Sequence, residues 1–218
     1  MKKELIQRIV SSIVLISLII FCIIKVSIYI NLFILIIFLI SLYEWYNMRK
    51  NNLFFFFGAI YLGYAFYSVY KIIDYSNSYF YFLFIILICV SSDIGGFIIG
   101  KLFKGPKLIK ISPNKTYSGS IGSYIFSLLF TLFFLTNTNY WFNTQFSITT
   151  YTVVLVILGS TVSQIGDLVM SYFKRISKVK NTGNLIPGHG GILDRIDGMI
   201  FTFPFFYTLL IINDFKLN

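Results

Sequence analysis

Carboxylates are the residues most able to do chemistry in this sequence, and there are only eight of them. Four lie in or near apolar runs or in the last polar segment: Asp93, Asp167, Asp194 and Asp197. A charge inside an apolar run costs roughly 2.5–3.5 kcal/mol, so it normally faces a partner or a wet cavity. A structural salt bridge explains any one of these aspartates, but the four together indicate a shared site. The other acids are expected to be ordinary solvated charges near ends or loops: Glu4, Glu44, Asp74 and Asp214.

The surroundings of Asp167 form a polar stripe on an otherwise apolar segment. Its members step by four, three and four residues: Ser160, Gln164, Asp167 and Ser171. This spacing places them on one face of a helix. Such a stripe could line an interior groove, and the alternative is that its hydrogen bonds only hold a helical bundle together.

Asp93 follows two serines and lies in a stretch that carries a ridge of small residues. Ser92, Gly96 and Gly100 are four residues apart, a spacing that permits close contact between two helices. The run ends in a lysine-rich segment, so we expect Asp93 at the mouth of any site formed there.

The first polar segment runs from Lys101 to Ser120 and contains five lysines and two prolines. It includes a Ser-Pro-Asn-Lys-Thr turn and then enters a new apolar run. Lysines and hydroxyls at the start of a helix are suitable for binding phosphate. A basic loop attracted to anionic lipid is the alternative, but it does not explain the order of residues in the turn.

The second polar segment runs from Ser171 to Asp197. Basic residues come first, followed by Pro-Gly-His-Gly-Gly and then Asp-Arg-Ile-Asp. Glycines let a phosphate approach the backbone, and carboxylates three residues apart on a helix can meet one metal–phosphate group. His189 is the only histidine and, although a lone histidine is more often structural, its glycine neighbours make it a functional candidate. These residue types suit phosphoryl or nucleotidyl transfer with Mg²⁺.

The composition indicates a membrane protein. The chain is 57% hydrophobic and 12% charged, whereas a soluble domain is about a quarter charged. The net charge of +10 does not indicate a nucleic-acid binder, because the basic residues lie between apolar runs. Seven runs are long enough to be candidate spans: 9–24, 27–45, 53–70, 79–100, 119–137, 148–172 and 198–213. The first could pass for a signal peptide, but we expect it to be retained.

Loop charges give an orientation. With the N-terminus in the cytoplasm, the inner segments hold all but three of the 18 basic residues, as the positive-inside rule predicts. We therefore predict an all-α, polytopic membrane protein with about seven transmembrane helices and cytoplasmic catalytic loops. Residues 1–78 carry spans without a motif, and 79–218 form the catalytic region with cytoplasmic loops 101–118 and 173–197.

The second polar segment resembles the signature of the phosphatidate cytidylyltransferase family. It contains Ser-x-Phe-Lys-Arg, a later lysine and Pro-Gly-His-Gly-Gly-x-x-Asp-Arg-x-Asp. One departure is Asn181, where the family pattern has Asp. Three upstream blocks are also similar: Gln164-Ile-Gly-Asp-Leu168, Asp93-Ile-Gly-Gly-Phe97 and Ser112-Pro-Asn-Lys-Thr116.

The resemblance implies that phosphatidate attacks the α-phosphorus of CTP to give CDP-diacylglycerol and diphosphate. It implies Mg²⁺, with room for a monovalent cation such as K⁺, a homodimer, and a bacterial inner membrane with the site on the cytoplasmic face. The implied catalytic residues are Asp167, His189, Asp194, Arg195 and Asp197, and the implied metal ligands are Asp167, Asp194 and Asp197. The implied substrate-binding residues are Asp93, Ser112, Lys115, Thr116, Lys174, Arg175, Lys180, Gly190 and Gly191.

Other functions explain these residues less completely. A related nucleotidyl- or phosphotransferase acting on another lipid phosphate is the nearest alternative. A small transporter or channel would have its charges spread through the membrane depth, whereas here they gather towards one face. A scaffold that uses basic loops on anionic lipid gives no reason for the His-Gly-Gly-x-x-Asp-Arg-x-Asp order.

Overall fold

The computed structural model describes residues 27–76, 79–109, 112–138, 148–186 and 190–213. In this part of the chain the structure is mainly helical. The helices are α1 (Ser27–Asn47), α2 (Asn52–Ser76), α3 (Phe80–Phe103), α4 (Tyr117–Thr136), α5 (Thr150–Ile176), α6 (Leu193–Ile196) and α7 (Met199–Asn213). The strands are β1 (Lys107–Ile109) and β2 (Ser112–Thr116).

The predicted spans agree with these helices. Helices α1 to α5 are long and apolar enough to cross a membrane, and α7 is a shorter apolar helix. The predicted span 9–24 lies outside the described residues. Large apolar side chains such as Leu35, Leu39 and Phe57 are exposed on the protein surface, as expected for helices surrounded by lipid. The prediction of an all-α membrane protein is confirmed.

The chain forms two compact units. The first contains the described residues up to 70 together with 173–197, and the second contains 71–172 and the described residues from 198 onwards. In the first unit, the ring of Trp45 stacks on Phe54 at a centroid distance of 4.8 Å and meets the edge of Phe173 at 5.4 Å. The predicted division at residue 78 concerned motif content and stays a prediction.

In the second unit, glycines bring α3 and α4 into backbone contact. A methyl group on Gly95 would collide with the carbonyl oxygen of Gly122, and one on Gly122 would lie 2.6 Å from the carbonyl oxygen of Gly95. Helices in lipid gain no hydrophobic effect from association, so close backbone packing of this kind is what holds them together. The ridge of Ser92, Gly96 and Gly100 also packs on α4, since a methyl group on Gly96 would lie 2.7 Å from Ser123 Oγ and one on Gly100 would lie 3.3 Å from Gly119 Cα.

This contact gives a stability prediction. We expect Gly95→Ala to lower the unfolding temperature in detergent by several degrees, because relieving such overpacking costs typically 1–3 kcal/mol. Gly63→Ala is the matched control, since a methyl group there has no neighbour within 4 Å. The control should be neutral or stabilising by about 0.5–1 kcal/mol. Equal unfolding temperatures for the two variants would contradict the close helix contact.

The lysine-rich segment, predicted to be a loop, contains an antiparallel hairpin. Lys107 pairs with Thr116 and Ile109 pairs with Ser112. Pro113 within β2 obscured this hairpin in the sequence, because proline is unfavourable in strands. Thr116 ends β2 and caps α4, its hydroxyl accepting a hydrogen bond from the Gly119 N–H at 3.1 Å. The hairpin thereby fixes the position of Lys115 directly before α4.

Candidate active site

A pocket of about 260 Å³ lies in the second unit, between α3, β2, α4 and α5. Its polar lining is Asp93, Lys115, Thr116, Ser120, Ser123, Gln164 and Asp167. Four of the predicted site residues are therefore brought together: Asp93, Lys115, Thr116 and Asp167. The expectation that Asp93 borders such a site agrees with its place in the lining.

Only one of the two carboxylate oxygens of Asp167 has a hydrogen-bond partner among the described residues. Its Oδ2 accepts a hydrogen bond from the Lys115 ammonium group at 2.9 Å, which is also an ion pair. Its Oδ1 is buried and has no hydrogen-bond partner within the described residues. A methyl group on Gly198 would lie 2.4 Å from Ser163 Oγ and 3.2 Å from this oxygen, so the glycine leaves room beside both side chains. One carboxylate oxygen of Asp167 is thus free to accept a further donor or a cation.

The polar stripe on α5 serves both of the purposes considered above. The hydroxyls of Ser160 and Ser92 are 3.0 Å apart, and Gln164 accepts a hydrogen bond from Ser120. These contacts join helices, as the packing alternative expects. One turn further on, Asp167 faces the pocket, where a carboxylate is more than packing requires.

In the first unit, Lys174 near the end of α5 is shared by two aspartates. Its Nζ lies 2.8 Å from Asp194 Oδ1 and 3.8 Å from Asp197 Oδ2. Asp194 Oδ2 accepts hydrogen bonds from the Thr182 N–H at 2.8 Å and the Gly191 N–H at 3.0 Å. The Asp194 side chain is 8% exposed, so these donors replace most of its water.

The surroundings of Asp194 lower its pKa. Burial alone would raise the pKa of this carboxyl, but the hydrogen bond and charge of Lys174 and the backbone N–H groups of Gly191 and Thr182 outweigh burial. Asp194 is therefore ionised throughout the neutral range. An unfolded aspartate has a pKa of about 3.9.

The lowered pKa makes stability depend on pH. A carboxyl whose pKa is lower in the folded state stabilises it above the unfolded value, and this contribution is lost as pH falls through the folded value. We expect the unfolding temperature in detergent to fall when the pH is lowered below about 4. The fall should be smaller in Asp194→Asn, which lacks this titrating group. The same pH dependence in both proteins would contradict the assignment.

Glu44 was expected to be a solvated charge near the end of a span, and this was wrong. It lies inside α1 and is only 1% exposed. Its Oε1 accepts a hydrogen bond from the Ile192 N–H at 2.8 Å, and its Oε2 accepts one from the Leu193 N–H at 2.9 Å. The sequence held a signal, because a carboxylate within an apolar helix normally has a partner. Thr182, which bridges to Glu44, was missed because no periodicity marks it.

Glycines make this packing possible. A methyl group on Gly191 would collide with Thr182 and Glu44, and one on Gly183 would lie 2.8 Å from Glu44 Oε1. Gly190 has a φ of 85°, a backbone conformation that favours glycine. In this structure the Gly191 N–H is used by Asp194, so binding of substrate by Gly190 and Gly191 stays a prediction.

The other predicted site residues are less tightly organised. Ser112 begins β2, and the side chains of Arg175, Lys180 and Arg195 are exposed. The predicted functional residue His189 lies outside the described residues. Asn181, the departure from the family pattern, is exposed and lies beside Gly190.

The predicted metal ligands have to be considered one at a time. No group of three or more His, Cys, Asp and Glu side chains in the described ranges is arranged to bind one metal ion. Asp167 Oδ1 fits a cation, because it is a buried carboxylate oxygen that lacks a donor among those residues. Asp194 accepts hydrogen bonds from the Lys174 ammonium group and from the N–H groups of Thr182 and Gly191, which leaves it less free. The metal set of Asp167, Asp194 and Asp197 stays a prediction.

Comparison with known proteins identifies the family. A model described as the cytidylyltransferase family matches residues 50–213, which is most of the chain. The chain belongs to the cytidylyltransferase family. A protein of Rickettsia typhi named phosphatidate cytidylyltransferase is 33% identical over 211 residues, covering 95% of this chain and 92% of that protein. A Bacillus subtilis protein of the same name is 37% identical over 159 residues, covering 70% of this chain and 56% of that protein.

Membership of the cytidylyltransferase family agrees with the sequence-based resemblance. The matched range includes both ion-paired clusters, Lys115–Asp167 and Lys174–Asp194–Asp197. It leaves out the whole of α1 and therefore Glu44. The relative from Rickettsia typhi aligns over almost the whole chain.

Proposed function

We propose that this membrane protein transfers a cytidylyl group from CTP to phosphatidate, giving CDP-diacylglycerol and diphosphate. An oxygen of the phosphatidate phosphate forms a bond to the α-phosphorus of CTP. The bond from that phosphorus to the oxygen bridging it to the β-phosphorus breaks, and its electron pair leaves with diphosphate. The reaction needs no protein nucleophile, because the substrate phosphate attacks.

The observation that carries this proposal is the pairing of family-motif lysines with family-motif aspartates. Lys115 pairs with Asp167 at 2.9 Å, and Lys174 pairs with Asp194 at 2.8 Å. Lysines held in place by carboxylates can neutralise negative charge on reacting phosphates without having to reorganise. The names of the relatives supply the substrates, CTP and phosphatidate.

Asp167 is the residue that we propose first for binding Mg²⁺, and the family resemblance implies Asp194 and Asp197 as further ligands. When bound, a divalent cation neutralises phosphate charge and makes the phosphorus more open to attack. Mg²⁺ typically takes one or two protein carboxylates, substrate phosphates and water. A monovalent cation such as K⁺ could occupy a second position.

We also propose where the enzyme works. Its basic loops are expected on the cytoplasmic side of a bacterial inner membrane. CTP is a cytoplasmic nucleotide, so the pocket between α3, β2, α4 and α5 would open to that side. A homodimer is the state that the family resemblance implies.

The proposal is tested with purified protein in lipid or detergent. Phosphatidate and Mg²⁺ are supplied with labelled CTP, dCTP or ATP, and the lipid product is identified by mass. Formation of CDP-diacylglycerol supports the proposal. Reaction only with another lipid phosphate, such as an isoprenoid phosphate, would move the function to the nearest alternative. Lack of product with every acceptor would overturn it.

A further inference from the structure

Glu44 is a buried carboxylate that none of the motifs includes. It lies in α1, three residues before that helix ends, and is 1% exposed. No lysine or arginine among the described residues forms an ion pair with it; their three ion pairs involve Lys115 and Lys174. A carboxylate without a counter-ion is costly to bury unless hydrogen bonds satisfy it. The hydrogen-bond donors around Glu44 therefore explain why its carboxylate can be buried.

Those donors all come from the segment that carries Asp194. Ile192 and Leu193 donate their backbone N–H groups, one to each carboxylate oxygen. Thr182 donates its hydroxyl to Glu44 Oε2 at 2.8 Å. Both backbone donors directly precede Asp194, so Glu44 fixes the chain at the point where this side chain starts.

Thr182 links the two carboxylates. Its hydroxyl oxygen is 2.8 Å from Glu44 Oε2 and 3.1 Å from Asp194 Oδ2. A hydroxyl has one hydrogen to donate, so it can be given fully to only one of the two acceptors at a time. The shorter distance is to Glu44, and a change at Glu44 must therefore alter the hydrogen bonding of Asp194.

We propose that Glu44 is a positioning residue for Asp194, acting through Thr182 and through the backbone of residues 192 and 193. This proposal rests on the proposed cytidylyl transfer for its kinetic readout. Glu44 holds the Asp194 carboxylate in register with Lys174 without touching substrate. Residues that orient a catalytic group in this way typically change activity 10–100-fold when they are replaced.

Glu44→Gln is the informative variant because it keeps the size of the side chain. Each oxygen of Glu44 accepts from a backbone N–H, and an amide has only one oxygen. Its NH₂ group must then face an N–H donor, which leaves that donor unsatisfied. We expect kcat to fall by about 10–100-fold, with the KM for CTP changed less than about threefold.

Thr182 provides the second set of variants. Thr182→Val removes the hydroxyl at nearly constant volume and should also lower kcat, whereas Thr182→Ser keeps it and should stay near wild type. In the double variant Glu44→Gln/Thr182→Val, the loss should be smaller than the product of the two single losses, because both act on one network. Asp74→Asn, which removes an exposed carboxylate outside the site, is the matched control and should keep wild-type turnover.

Hydrogen exchange tests the same proposal without activity. Peptides covering residues 190–197 should exchange faster in Glu44→Gln than in Asp74→Asn, while peptides from α3 should not change. Wild-type kcat and exchange in Glu44→Gln would overturn the proposal, as would losses that multiply fully in the double variant. An inactive wild type would overturn the proposed function instead, and exchange would still decide the role of Glu44.

Discussion

Asp194→Asn abolishes the incorporation of CTP into lipid while the protein still inserts into the membrane. This is the expected result because both carboxylate oxygens of Asp194 accept hydrogen bonds. Lys174 donates to one oxygen, and Thr182 and Gly191 donate to the other. An amide cannot accept at both ends, so Asn must turn its NH₂ group towards Lys174 or towards the backbone donors. The first choice turns a donor towards the Lys174 ammonium group, and the second leaves backbone N–H groups without their acceptor, so either choice disturbs the cluster that holds Lys174.

The size of the expected loss of turnover distinguishes a catalytic role of Asp194 from a general loss of protein stability. We expect turnover to fall by at least about 10³-fold, equivalent to roughly 4 kcal/mol of transition-state stabilisation. Turnover of labelled CTP into lipid is measured on protein that elutes as a single peak in detergent. Asp74→Asn again serves as the charge-matched control. Normal turnover in Asp194→Asn would remove this residue from the catalytic site.

Asp167→Asn is the second large effect that we expect, with a loss of turnover of about 10³-fold or more. The substitution removes the charge that pairs with Lys115 and replaces one carboxylate oxygen with an NH₂ group. The open oxygen, Oδ1, is the feature that would bind a cation. In the proposed mechanism this oxygen has no substitute within the pocket lining except the exposed Asp93.

Dependence on Mg²⁺ distinguishes a ligand from a simple ion-pair partner. If Asp167 binds the metal, residual activity in Asp167→Asn should need a higher Mg²⁺ concentration for half-maximal turnover. Lys115→Met removes the ion pair but keeps the carboxylate, so it should raise the KM for CTP and leave the Mg²⁺ requirement closer to wild type. An unchanged Mg²⁺ requirement in Asp167→Asn would contradict the metal role.

The helices were predictable from the sequence because each is a long apolar run, and the polar stripe on α5 followed from its spacing. The pairing of Asp167 with Lys115 was not predictable, because it joins residues 52 positions apart through a hairpin that contains proline. The role of Glu44 was missed for a similar reason. Its donors lie more than 130 residues away in the chain, and hydrogen bonds to backbone N–H groups leave no pattern in residue types.

The shared position of Lys174 has a consequence for how charged substrates enter. Lys174 is shared by the carboxylates of Asp194 and Asp197, so these three side chains set two acidic groups against one basic group before substrate arrives. A phosphate that attracts Lys174 draws a shared counter-ion away from both carboxylates, and poorly compensated charge in a poorly hydrated place is costly. A cation bound beside the two carboxylates would restore the positive charge that Lys174 takes away. Binding of the anion must therefore raise the affinity for the cation, and binding of the cation must raise the affinity for the anion. The nucleotide and the metal ion would then bind together as a charge-compensated pair, and neither would bind well alone.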